Sequence, residues 1–425
     1  MNTNMILNYS SDIIDRLLFN CVRVKDYELV EILLSKQADI NSRLCVSSVC
    51  YAVNNEDIET VKLFLEKGFN VNSKDEIDNT ALHYAVLSNN NNITQLLVDY
   101  KADIKECDGY LLLHAVKANN IDIIKILLNN GINVNYVNDK GYTALHYAVE
   151  NNKLDIVNLL LGKGANIEIV NECSFINNII KFRFTNYYNM IELMLSYKAN
   201  VNNIHDNYAP LHLAIDEEDE EIIKLLIRYG ADINIKNTYN DSSPLHHAVK
   251  SVNKNILKIL LDKGADVNSL NRYGCTPIYY AVCNNNIDVV NILLEYGADV
   301  NVIDLSGNTP LTVSGNNYIK KEIISHIVIS KYLNKFIVES PGYKRNIECI
   351  YLDKVLVDIK SYCENEITAL RNIKISECNN NLLECIIRKD INTISKFIDD
   401  DKYQKYFPIY GILLKKIRDK MFKMF

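Results

Sequence analysis

Residues 133–164 read NVNYVNDKGYTALHYAVENNKLDIVNLLLGKG. Thr143 stands where its hydroxyl can accept a hydrogen bond from an exposed N–H of a starting helix. Leu145 and Ala148 lie three apart, on one face of that helix. Asn151-Asn152 marks a turn, and Ile156, Val157, Leu160 and Leu161 form the apolar stripe of a second, antiparallel helix. Gly164 ends it, because a left-handed C-terminal residue is least strained as glycine. The extended stretch and Gly141 turn ahead of each pair predict a hairpin-like finger.

The same unit recurs outward in both directions. Its small-residue position appears as Cys21, Ala52, Ala85, Ala115, Ala148, Ala214, Ala248, Ala281 and Ser314, with steps of 30 to 34 residues and one double step of 66. A period near 33 predicts a solenoid, in which each unit packs only on its neighbours. The column has a steric cause: helices of adjacent units meet there, and a larger side chain overpacks the site by about 1–3 kcal/mol.

This arrangement resembles the ankyrin repeat family. The matching residues are Thr80-Ala81-Leu82-His83-Tyr84-Ala85, Thr143-Ala144-Leu145-His146-Tyr147-Ala148, Pro210-Leu211-His212-Leu213-Ala214, Ser243-Pro244-Leu245-His246-His247-Ala248 and Thr276-Pro277-Ile278-Tyr279-Tyr280-Ala281. The endings Gly230-Ala231-Asp232-Ile233-Asn234, Gly264-Ala265-Asp266-Val267-Asn268 and Gly297-Ala298-Asp299-Val300-Asn301 match as well. Pro244, Pro277 and Pro310 fall at first helical positions, where a missing N–H is harmless. The expected fold is all-α: an ankyrin-repeat solenoid of nine to ten helix pairs with fingers over 1–335, then a small helical domain over 341–425.

Departures mark specialised units. Gln37, Lys101 and Lys198 occupy the helix-ending glycine slot, so those turns should be strained. In the fourth unit His114 is one place off the motif, and its finger is three residues short. In the sixth, FINNIIKFRFTNYYN replaces the first helix, as a decayed repeat or as a bulged binding feature.

Composition narrows the function. The net charge of −7 gives no support to general nucleic-acid binding. Eleven cysteines with no C-x-x-C pair, several in small apolar slots, suit reduced thiols rather than a disulfide framework. The start shows no secretory pattern and no run of 18 apolar residues occurs, so neither a signal nor a membrane span is expected. No residue pattern sets a nucleophile beside a base or pairs catalytic carboxylates, and no phosphate-cradling glycine loop appears. No catalytic residue, metal or cofactor is therefore expected. His83, His146, His212 and His246 recur at one slot and read as braces between backbone and capping hydroxyl. The acidic run Asp216–Glu221 reads as a solvated turn whose last acids favour a helix N-terminus, or as a patch for a basic partner. The partner-contact candidates are finger tips and the exposed end of the first helix: Asp139, Lys140 and Tyr142; Thr238, Tyr239 and Asn240; Arg272, Tyr273 and Cys275.

After Ser340-Pro341-Gly342 the period stops, yet the sequence still reads helical, with one helix near Ile347 to Leu370, a second at Leu382–Ile387, a third at Ile391–Ile398 and a last one after Phe407-Pro408. That last helix carries Ile409, Ile412, Leu413, Ile417 and Met421 on one side and a basic face on the other. From this pattern alone, a cap on the solenoid is the plain reading. Cys363-Glu364-Asn365-Glu366-Ile367, Asn372-Ile373-Lys374-Ile375 and Phe407-Pro408-Ile409-Tyr410-Gly411 resemble the PRANC domain of poxvirus ankyrin-repeat proteins, which is similar to a shortened F-box. That resemblance implies a viral adaptor in the host cytoplasm or nucleus. Its ankyrin face would hold a host protein, and Phe407, Pro408, Ile409, Ile412, Leu413 and Ile417 would dock a Skp-type adaptor of a cullin-RING ubiquitin ligase. The rival expectation is a sequestering scaffold with no ligase link.

Overall fold

The computed structural model describes residues 11–36, 39–105, 109–167, 174–183, 185–251, 253–333 and 338–372. Two compact units emerge, Met1–Asn200 and Val201–Phe425.

The first unit is six helix pairs: α1 (Ser11–Val24) and α2 (Tyr27–Lys36), α3 (Arg43–Asn54) and α4 (Ile58–Glu66), α5 (Ala81–Leu87) and α6 (Asn91–Asp99), α7 (Tyr110–Lys117) and α8 (Ile121–Asn129), α9 (Ala144–Glu150) and α10 (Leu154–Gly162), α11 (Phe175–Phe182) and α12 (Tyr187–Ser196). First helices stack on first helices and second on second. The column holds Cys21, Ala52, Ala85, Ala115 and Ala148, all buried. Asparagines tie successive loops: the Oδ1 of Asn72 accepts the Asp103 N–H at 2.7 Å, and that of Asn135 accepts the Asn166 N–H at 2.8 Å. Most turns between paired helices place a non-glycine residue in the left-handed region, among them Asn89, Asn119 and Asn152. Asparagine tolerates that conformation better than most residues, which accounts for much of its abundance.

The sixth repeat differs from the sequence expectation. Its first helix is not replaced: FINNIIKF itself forms α11, with the Ser174 hydroxyl accepting the Asn177 N–H at 3.4 Å as a cap. This supplies the column's missing member, Ile179, fully buried, with Asn177 in the histidine slot. A branched four-carbon side chain now fills a place sized for a methyl group, and the α9 and α11 backbones approach less closely than those of α7 and α9. The irregular part is the turn that follows, where Arg183 and Asn186 are both left-handed.

Lys101 and Lys198 stand at φ 67° and 66°, as the glycine slot requires, while Gln37 lies outside the described residues. The equivalent Gly68 and Gly164 have nothing within 4 Å of a built Cβ, so the demand is conformational rather than spatial. Lys101→Gly and Lys198→Gly are each expected to stabilise the first unit by about 0.5–1 kcal/mol, part of the left-handed strain being offset by glycine's chain entropy. Urea midpoints check this; unchanged or lowered midpoints would contradict it.

The second unit continues the pairs with α13 (Pro210–Asp216) and α14 (Glu220–Arg228), α15 (Pro244–Ala248) and α16 (Lys254–Asp262), α17 (Pro277–Cys283) and α18 (Ile287–Glu295), α19 (Pro310–Val313) and α20 (Asn317–Leu333). Ala214, Ala248, Ala281 and Ser314 are its buried column. Two further helices follow, α21 (Pro341–Tyr351) and α22 (Lys354–Asn372). The single helix expected near 347–370 is thus broken. Asp353 accepts the Val355 N–H at 2.9 Å and starts a new helix there, a capping role not anticipated for it.

Both helices lie on the end of the repeat stack. Gly342 sits where an added Cβ would meet the Asn301 carbonyl oxygen at 1.5 Å. Asn346, fully buried, donates to the Val300 carbonyl and to Asn301 Oδ1, both at 3.1 Å, and accepts from the Thr309 hydroxyl. Leu356, Cys363 and Ile367 of α22 are buried, and α22 packs on α20. Among the described residues no helix is long and apolar enough to cross a membrane.

Candidate partner-binding edge

Each complete finger grows from one side chain at its root. Asp75 Oδ1 accepts the N–H groups of Ile77 (2.9 Å) and Asn79 (3.0 Å). Asn138 holds Lys140 and Tyr142 in the same way, Asn271 holds Tyr273 and Cys275, and Asp304 holds Ser306 and Asn308. This is the Asx turn, in which a short polar side chain stands in for backbone. The root's other polar atom is also used. Tyr84 donates to Asp75 Oδ2 at 2.6 Å, whereas Asn138 and Asn271 donate to the hydroxyls of Tyr147 (3.0 Å) and Tyr280 (2.8 Å). A phenol can donate or accept, so it serves either root. The bond to a carboxylate lowers the Asp75 pKa against the opposing effect of burial, and helps raise that of Tyr84 to about 12.

The histidines act as braces. His83, His146, His212 and His246 each accept the backbone N–H of their own cap residue at Nδ1, from 3.0 to 3.3 Å. His212 and His246 also reach the next finger, the Ser242 carbonyl at 3.1 Å and the Cys275 carbonyl at 3.0 Å. Desolvation pushes both pKa values down to about 4. His114, one place off the motif, cannot reach a cap: its Nδ1 is buried without a hydrogen-bond partner among the described residues.

In the second unit the fingers are bonded tip to tip. Thr238 N–H donates to the Asn207 carbonyl (3.1 Å), Arg272 N–H to the Asn240 carbonyl (2.9 Å) and Leu305 N–H to the Tyr273 carbonyl (3.0 Å). Arg272 further pairs with Asp241 at 3.3 Å. Tyr239 (63% exposed), Tyr273 (52%) and Leu305 (80%) project from three successive fingers. Asp139 and Lys140 are exposed on a first-unit finger, and Tyr142 leans on His146 and Tyr147.

Thr238, Asn240 and Arg272 therefore spend their polar groups on neighbouring fingers. Cys275, proposed from the sequence as a contact, is only 7% exposed and belongs to the frame: its N–H donates to Asn271 and its carbonyl takes the His246 brace. Burial raises its thiol pKa to about 11, and those of Cys45, Cys50 and Cys363 to between about 11 and 12, as for inert thiols. Leu305 was missed; an apolar residue directly after the root Asp304 was the available signal, as Tyr239 two places after Asn237 was.

The acidic run is more than a solvated turn. Asp219 caps α14 as expected, but Asp216 bonds His247 (2.8 Å), Glu218 bonds Ser251 (2.8 Å) and Glu220 bonds Asn253 (2.8 Å), stitching one repeat to the next. A groove of about 670 Å³ on the opposite side of the first unit, between the helix-pair turns, is lined by Asn89, Asn120, Asp122, Asn152 and Lys153; the Asn120 amide already bonds Asn89 and Asn91. No group of three or more His, Cys, Asp or Glu side chains among the described residues is arranged to hold a metal. The adaptor-docking candidates Phe407, Pro408, Ile409, Ile412, Leu413 and Ile417 lie outside the described residues.

A stack of braced helix pairs presenting an aromatic and aliphatic edge defines a scaffold for holding another protein. The family model for ankyrin repeats matches residues 18–108, 91–171, 179–237 and 211–304, and the chain belongs to the ankyrin repeat family. An ankyrin repeat protein of fowlpox virus (strain NVSL) is 38% identical over 132 residues, covering 31% of this chain and 32% of that protein. A second fowlpox ankyrin repeat protein is 37% identical over 102 residues, 24% of this chain and 72% of its own length. An ankyrin repeat protein of Acanthamoeba polyphaga mimivirus is 36% identical over 136 residues, 31% of this chain and 18% of its own. The chain thus covers a third or less of the first fowlpox protein and of the mimivirus protein. Ankyrin repeats mediate protein–protein interaction and are generally non-enzymatic.

Proposed function

We propose that this chain is a non-catalytic recruitment protein of a virus. Its finger edge captures a host protein, and its C-terminal segment links that protein to a cullin-RING ubiquitin ligase. The observation that carries the capture step is the row of Tyr239, Tyr273 and Leu305, large side chains kept exposed on three successive fingers. Tyrosine in such a setting brings large contact area at low entropic cost. In this reading residues 1–335 form the array and 341–425 the docking domain, with Phe407, Pro408, Ile409, Ile412, Leu413 and Ile417 meeting a Skp-type adaptor in the host cytoplasm or nucleus.

A specific observation favours the rival reading for part of the C-terminal segment. Asn346, Leu356, Cys363 and Ile367 are buried and Asn346 bonds the last repeat, which supports a capping role for α21 and α22 such as a sequestering scaffold would use. Affinity capture of the intact chain and of one truncated before Phe407, each probed for cullin, separates the two. The adaptor reading expects cullin with the intact chain alone. Cullin with neither would leave the sequestering scaffold.

A further inference from the structure

One finger is built differently from its siblings. Asn237 is its root: Oδ1 accepts the N–H groups of Asn240 (3.0 Å) and Ser242 (3.2 Å). In the fingers rooted at Asn138 and Asn271 the root amide meets a tyrosine hydroxyl, but here Asn237 Nδ2 meets His247 Nε2 at 3.2 Å. Both residues are buried, Asn237 at 2% and His247 at 6% exposure. The tautomer follows from the partners. Asp216 Oδ1 lies 2.8 Å from His247 Nδ1, so that nitrogen carries the proton and Nε2 accepts from the amide. Asn237 cannot answer a change by flipping, because its oxygen already holds two backbone donors.

We propose that the Asn237–His247 pair is a pH-sensitive latch on the finger that presents Tyr239. A proton added to Nε2 sets two donors face to face, and the ring, the root amide or the whole finger must move. The titratable groups that face the ring are Asp216, bonded to Nδ1, and His212, whose ring lies 4.9 Å away. Tyr208 packs edge-on at 5.7 Å and supplies no charge; His246 and Lys250 stand beside it in sequence. Imidazole is the side-chain type suited to a switch near neutral pH, whereas the phenols that lock the other fingers keep their protons there. The latch therefore tunes one finger of the edge and leaves the next untouched. Its functional consequence rests on the edge being the partner surface, but the latch itself does not.

The test reads the intact protein without any partner. Amide exchange is followed at about pH 7.5 and about pH 5.5, corrected for intrinsic rates. Residues 237–242 should lose about tenfold in protection relative to the tyrosine-locked finger 271–275 of the same unit, the loss of one hydrogen bond. His247→Tyr copies the Asn271–Tyr280 arrangement and should abolish the difference. Asn237→Asp should abolish or reverse the loss, since a carboxylate oxygen accepts from the protonated ring. Equal loss in both fingers, or an unchanged pH response in Asn237→Asp, overturns the latch. Neither result touches the partner reading, which Tyr239→Ala and Tyr273→Ala in a host-protein capture address.

Discussion

Acidification from pH 7 to pH 4 is expected to remove about 6 kcal/mol of stability from the second unit, most of what a marginal domain has. His212 and His246 are held neutral to about pH 4, chiefly by desolvation, because each ring lies in the repeat interior between a cap and the next finger. The unfolded chain protonates the same rings near pH 6.5. Between those values the unfolded state binds more protons, so stability is whole above pH 6.5 and falls as pH drops, by about 3 kcal/mol for each ring by pH 4. Asp304 of the same unit, whose carboxyl its hydrogen bonds hold low against the opposing effect of burial, shifts stability in the same direction at still lower pH. Urea denaturation across pH, resolved for this unit by amide exchange, measures the slope. His246→Gln can still bond its cap but does not titrate, and should remove about half of the slope between pH 6.5 and 4. A slope unchanged in that variant would place the acid sensitivity elsewhere.

Gly342→Val is expected to release α21 from the repeat end and cost about 3–5 kcal/mol, combining overpacking with the stranded polar groups of Asn346. The obstacle is backbone: a Cβ 1.5 Å from the Asn301 carbonyl cannot be relieved by a rotamer change. Once α21 lifts, Asn346 leaves Val300, Asn301 and Thr309, and the last repeat loses the cover that a following repeat would otherwise supply. Thermal melts should show a lowered transition, with new exchange at residues 300–309. Asn346→Ala should reproduce part of the loss. A melt identical to the unaltered protein would mean that α21 contributes nothing as a cap, removing the observation that favours the sequestering reading.

Much of the repeat was legible because its cues are local. Caps, the glycine endings and the column of small residues are set by spacing within one helix or between neighbours, and Thr143, Gly164 and Ala148 stand as expected. The histidine braces were legible for the same reason, since cap and ring are three residues apart. The sixth repeat was misread because Ile179 breaks the column while Ser174 preserves the cap; spacing weighted the wrong signal. At the candidate edge, the positions of Tyr239 and Tyr273 followed from the finger, but the burial of Cys275 did not. Whether a residue beside a cap faces solvent depends on the neighbouring repeat.

The amino-acid order alone determined a repeating helix pair, its period and its fingers, because these depend on hydrogen bonds and side-chain size over a few residues. Only the tertiary structure decided which polar groups are spent. Asp216, Glu218 and Glu220, the tips Thr238 and Arg272, and Asn346 all look available in the chain and are bonded to partners about 30 to 46 residues away. Stacking brings such residues together, and what it leaves over is the surface a partner can meet.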